Sequence, residues 1–188
     1  METFTAPRDL VNNAKYHQQR LDSLHKLDLA AIDSPLIDLI RDFSQLQYCF
    51  TLQCCFGHFL YAGNEDLHNM EPLPLVENVE IVEYRIAYLS VCLEESIPGK
   101  DLFLNLAEIP SADPDYIQFG SADWFWERQL NSYILQVEPV RHRYLDKCQI
   151  DYREALHIEK IRNQLFKQLA TLIGKRLGNK FERSFVEV

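Results

Sequence analysis

The sequence predicts an α+β fold: a single compact domain with a mixed or antiparallel sheet, flanked by amphipathic helices at both chain ends. Three observations predict it. Hydrophobic stripes at helical spacing stand near the N-terminus and over the last third of the chain, and the middle alternates as strands do. The 188 residues, 47% of them hydrophobic, suffice for one core. Residues 1–174 read as the domain and 175–188 as a basic C-terminal tail.

In chain order, Thr5 with Pro7 reads as a helix start, and Leu10, Ala14, His17, Leu21 and Leu24 carry that helix to about Leu29. Ser34 and Pro35 open a second helix, with Leu36, Leu39, Ile40 and Phe43 on one stripe. From Tyr48 the period becomes two: Phe50, Leu52, Cys54 and Phe56 alternate with Thr51, Gln53 and Cys55. Gly57 interrupts the run, as a bend or close approach requires, and Phe59 to Tyr61 resume it. A loop closed by Pro72 and Pro74 follows. Residues 79–95 fit either a strand or a helix, and their β-branched and aromatic content favours the strand. "GKDLFLNLAEI" reads as a short helix, "DYIQF" as a strand, "SADWFWERQL" as a short helix capped by Ser121, and "SYILQVEP" as a strand. Ala155, Ile158, Ile161, Leu165, Leu169 and Leu172 make the last helix, which Gly174 is expected to stop.

The net charge of -9 disfavours binding to a phosphate backbone. Its distribution is uneven: residues 141–188 hold 11 basic and 6 acidic residues, whereas no Lys or Arg stands between Arg41 and Arg85. Such asymmetry fits a solvated helix face with an acidic loop, or self-association through complementary surfaces. The opening "METFTAPRDL" has no signal-peptide pattern, no apolar run approaches a membrane span, and five cysteines are an odd number. The expectation is a cytoplasmic protein with free thiols and no membrane partner.

The chemistry-bearing types concentrate in "CFTLQCCFGHFLY", Cys49 to Tyr61. As a metal centre it lacks any C-x-x-C pair, and a strand sends Cys54 and Cys55 to opposite faces, so no metal is assigned from spacing. Ligands would have to come from elsewhere, with His17, His25, His68 and Asp66 as the available types. As a catalytic pair, Cys55 and His58 meet only if the chain bends at Gly57. As plain structure, Cys49 and Cys54 are small apolar core residues. Elsewhere, strand alternation puts Gln118, Gln136 and Glu138 on one polar patch near Trp124, and Glu83 and Arg85 on a shared face. There is no P-loop, dinucleotide glycine pattern, G-x-S-x-G elbow or H-E-x-x-H helix.

The run "SPLIDLIRDFSQLQYCFTLQCCFGHF" resembles the N-terminal part of the wybutosine-synthesis protein 3 family, which carries a helix, a strand and a Ser-Ser-Cys-Ser-Gly-Arg motif. On that motif Gln53 to His58 take the six positions; Cys55 and Gly57 match, and the serines and arginine are absent. "SYILQVEP" resembles a later strand of the family. The resemblance implies an S-adenosylmethionine-dependent methyltransferase acting on a modified guanosine in tRNA. Three functions thus stand side by side: a small-molecule pocket near the Cys55–Gly57–His58 bend, that methyltransferase, and a self-associating interaction protein.

Overall fold

A computed structural model describes residues 4–74, 79–142 and 145–178. The elements are β1 (Phe4–Thr5), α1 (Tyr16–His25), α2 (Ile37–Gln45), β2 (Cys49–Cys55), β3 (His58–Leu60), β4 (Ile81–Arg85), β5 (Ala87–Leu93), α3 (Ile97–Glu108), β6 (Ile117–Ala122), α4 (Asp123–Arg128), β7 (Ser132–Val137), β8 (Lys147–Asp151) and α5 (Tyr152–Arg176). The fold is α+β with every strand pairing antiparallel. A five-stranded sheet runs β1-β6-β7-β5-β2 and a three-stranded sheet runs β3-β4-β8. Among the described residues no helix is long and apolar enough to cross a membrane, and all five cysteines are free thiols.

The two sheets share one long kinked hairpin. Cys55 pairs with Tyr88 in the first sheet, and His58 pairs with Arg85 in the second. Between these pairs Phe56 and Gly57 face Ile86 and Ala87, and both arms change sheet there. Gly57 has φ +88°, a left-handed conformation that glycine adopts without penalty. A Cβ at Gly57 would stand 2.8 Å from the Cβ of Ala87, so the arms also touch too closely for a side chain. Within residues 79–95 the strand reading holds for 81–93, broken at Ile86.

The core lies between these sheets and the helices α2 and α5. Leu36, just before α2, and Leu39, Ile40 and Phe43 of α2 are buried, as are Ala155, Ile158, Ile161, Leu165 and Leu169 of α5. Under the kink, Phe166 stacks on Phe56 with ring centroids 5.4 Å apart.

Several elements differ from the sequence reading. Residues 6–15 are not helical, because side chains of the sheet claim their backbone groups. Ser121 Oγ accepts the Arg8 N–H, Asn131 bonds both the N–H and C=O of Val11, and the Tyr133 hydroxyl donates to Arg8 C=O. The helix that does form buries Tyr16 and Arg20 and leaves Ala14, His17 and Leu21 outside. The Arg20 guanidinium donates to the carbonyls of Ser44, Leu46 and Cys49, closing the C-terminal end of α2. Ser121 belongs to β6 and does not cap α4. Strand β8, which the sequence reading does not place, pairs with β4 and buries Cys148 and Ile150 in alternation with exposed polar residues. Gly174 is buried inside α5, which runs on to Arg176 and turns at Gly178 with φ +71°. Residues 179–188, most of the basic tail, lie outside the described residues, as does Glu77 of the acidic stretch.

A register shift between Thr51 and Gln53 also corrects the faces of β2. Leu52 packs with Phe50 and Cys92 on one side, while Cys54, opposite Leu89, packs into the main core on the other. Cys54 therefore parts from Phe50 and Leu52. Cys55 stays with Gln53, as alternation predicts, and both face a cleft.

Candidate functional site

The kink forms one wall of a cleft of about 490 Å³. Cys55 and His58 face it from the β2–β3 arm, Arg85 and Tyr88 from the β4–β5 arm, and Gln136 from β7. Phe125 and Ile134 supply an apolar side, and Leu67 and His68 come from the loop after β3.

Several backbone groups freed at the kink are held by side chains. Asp33 Oδ2 accepts the Phe56 N–H at 2.7 Å, and Cys55 Sγ accepts the Gly57 N–H at 3.4 Å. Arg162 Nη1 donates to the Gly57 carbonyl at 3.2 Å. The buried Tyr84 hydroxyl accepts the Ala87 N–H at 2.9 Å and donates to the Val137 carbonyl at 2.7 Å. The site is thereby built on a rigid bend whose shape the surrounding side chains fix.

Among the predicted residues, Cys55, His58, Arg85 and Gln136 meet at the cleft. Gln118 and Glu138 stand buried behind Gln136 and set its amide. Gln136 Nε2 donates to Gln118 Oε1 at 3.3 Å and to Glu138 Oε2 at 3.0 Å, and Gln118 Nε2 donates to the Glu138 carbonyl at 3.1 Å. This network leaves Gln136 Oε1 as an acceptor for a ligand. Glu83 reaches the cleft only through Arg85, whose Nε it accepts at 3.1 Å, and it also accepts Lys147 Nζ at 3.0 Å. Trp124 does not line the cleft. Helix α4 turns Phe125 to the cleft and Trp124 outward, where the Arg128 guanidinium lies 3.9 Å over its ring. Gly57 shapes the bend and offers no side chain.

Asp33, Arg162 and Tyr84 were not singled out by sequence reasoning. Asp33 precedes Ser34-Pro35 at a capping position, yet its side chain caps nothing in the following turn and serves Phe56 instead. An acidic residue just before a Pro-led turn is the one signal it gives, and that signal points to a cap. Arg162, 5% exposed, lies with its guanidinium carbon 4.1 Å over the Phe56 ring, pairs with Glu159 at 3.6 Å and bonds Asn163. Its position in a helical stripe reads only as a boundary residue.

Asp33, Cys55 and His58 offer ligand atoms that all lie within 4.8 Å of one another. His58 Nε2 stands 3.6 Å from Asp33 Oδ2, and His58 Nδ1 is buried with no hydrogen-bond partner among the described residues. Burial pushes the Cys55 thiol up to about 11; the Asp33 carboxylate adds to this, while the Gly57 hydrogen bond opposes it. Burial also lowers the His58 imidazole, against the pull of Asp33. At neutral pH the Cys55–His58 pair is therefore thiol and neutral imidazole, not the ion pair of an activated nucleophile.

No protein-family model matches the chain, and no curated protein matches it.

Proposed function

We propose that this protein is a cytoplasmic small-molecule-binding domain whose working site is the cleft at the hairpin kink. The carrying observation is convergence: Cys55, His58, Arg85 and Gln136 come from four strands to one cavity with an apolar side at Phe125 and Ile134. The Arg85 guanidinium suits an acidic or carbonyl group, and the fixed Gln136 Oε1 suits an N–H edge. The occupant that fits is a small polar molecule carrying both, of the size of a nucleoside or an amino-acid derivative. Five free thiols support a reducing compartment.

S-adenosylmethionine is the first probe, because the Cys55–Gly57 bend that carries the family resemblance is also the cleft wall. The test is a thermal-shift panel of S-adenosylmethionine, its demethylated product, free nucleosides and amino acids at millimolar concentration. A ligand at about 100 times its Kd stabilises by roughly 2.7 kcal/mol. The expected result is a rise in Tm for the wild type that Gln136→Leu abolishes. A panel without any shift, or a shift that Gln136→Leu and Arg85→Ala both retain in full, would overturn the reading.

Self-association is the alternative role, and helix α3 supports it by keeping Ile97 and Leu104 exposed on its surface.

A further inference from the structure

We propose that Asp33, Cys55 and His58 form a three-ligand site for a divalent zinc-type cation, with its remaining coordination position open to the cleft. The inference rests on the cleft being the working site and adds the cofactor that it holds.

The geometry carries it. Three different ligand types, a carboxylate, a thiol and an imidazole, come from two chain segments more than twenty residues apart and place their ligand atoms within 4.8 Å of one another. Tetrahedral zinc with Zn–S near 2.3 Å and Zn–N or Zn–O near 2.0–2.2 Å spaces its ligand atoms roughly 3.3–3.8 Å apart. The Asp33–His58 separation of 3.6 Å is already in that range, and the three ligand atoms all lie within 4.8 Å of one another. Sulfur and nitrogen donors exclude magnesium and calcium, and the mixed set suits zinc.

The supports of a metal site are present as well. Two amides of the same bend orient two ligands: Phe56 N–H holds the Asp33 carboxylate, and Gly57 N–H points at the Cys55 sulfur. His58 Nε2 faces Asp33 at 3.6 Å, too far for a hydrogen bond, and a cation there gives that nitrogen a partner, while Nδ1 stays buried without one among the described residues.

Charge is balanced. Carboxylate and thiolate offset the two positive charges of the metal, and the thiol proton leaves to solvent when the Zn–S bond forms. The buried Arg162 beside the site carries its own counter-charge in Glu159, so it does not add an unpaired cation. Protein ligands fill three positions and all three residues line the cleft. The fourth position is thus available to water or to a ligand oxygen, the pattern of catalytic rather than structural zinc.

The test loads the full chain with one equivalent of Co²⁺ or Zn²⁺ after chelator treatment. Wild type is expected to show a thiolate-to-cobalt charge-transfer band with tetrahedral visible bands, and to retain zinc through gel filtration. Cys55→Ser should remove the charge-transfer band, and Asp33→Asn and His58→Asn should each weaken zinc binding by more than roughly 100-fold, because lost second-shell partners alone reach that range. Cys54→Ser, on the opposite face, should change neither. Circular dichroism and Tm confirm that each variant is folded, and wild type alone decides the case if Cys55→Ser does not fold. Absence of the cobalt–thiolate band in wild type, or zinc retained equally by Cys55→Ser and His58→Asn, would overturn the site. Gln136→Leu separates the two readings. It should keep the metal while losing the cleft ligand, so a wild type that binds a cleft ligand without metal refutes only the metal site.

Discussion

At the scale of single residues, Gly57 is the most constrained position. An alanine there would hold a side chain at φ +88° and drive its Cβ to 2.8 Å from Ala87 Cβ and 3.1 Å from Ala87 N. The second contact is backbone and cannot swing aside. Left-handed strain of about 1 kcal/mol and overpacking of about 1–3 kcal/mol together give a loss of roughly 2–4 kcal/mol. For a chain of this length that lowers Tm by roughly 5–15 °C, readable by differential scanning calorimetry. Adding Ala87→Gly should recover only the Cβ–Cβ part. A Gly57→Ala protein as stable as wild type would mean the kink is not rigid. The glycine was legible in the sequence because a strand run needs a reason to contain one. Asp33 was not, because its role depends on a partner 23 residues away that no local pattern names.

At the scale of elements, legibility follows how much of an element's stability is local. The stripes of α2 and α5 report their own burial, and these helices and β7, which is buried along its whole length, are where the sequence puts them. Residues 6–15 carry a helical spacing too, but Asn131, Tyr133 and Ser121 take their backbone groups and the tertiary bonds prevail. The bulge at Leu52 shows nothing in composition, and it alone reassigns Cys54. The start of α5 allows a sharper prediction. Asp151 caps the helix through the Glu154 N–H at 2.9 Å, and Glu154 itself accepts from Tyr116 at 3.0 Å and from Arg141. Burial works to raise the Glu154 carboxyl, but the hydrogen bonds from Arg141 and Tyr116 outweigh it and hold it below the ordinary carboxylate range. A depressed folded-state value means stability that is complete above the unfolded value of about 4.3 and is lost as pH falls through the folded one. Glu154→Gln should therefore cost about 1 kcal/mol at pH 7, discounted because Arg141 is largely exposed. In urea titrations the gap between variant and wild type should close as pH drops below about 4. A gap independent of pH would assign the loss to packing.

At the scale of the whole molecule, the uneven charge of the chain is partly consumed inside it. Lys147 pairs with Glu83 at 3.0 Å and Arg176 with Asp101 at 2.6 Å, so cations of the C-terminal third neutralise acids of the rest within one copy. Charges spent this way are not available to hold a second copy. Among the exposed side chains of α3 two are large and apolar: Ile97 is 87% and Leu104 60% exposed, seven residues apart on one side of the helix, with the exposed Asp101 between them. Charge-held and apolar association respond oppositely to salt, since screening weakens the first and spares the second. Sedimentation at low and high ionic strength separates them. The expected outcome is a species near 22.1 kDa at low salt, because the ion pairs close within the chain. A dimer that dissolves as salt rises would show that the segments join between copies. A dimer that persists or grows with salt, and that Leu104→Glu abolishes, would place the contact on α3. That contact involves neither the kink nor the cleft, so it would add an assembly surface without altering the chemistry of Asp33, Cys55 and His58.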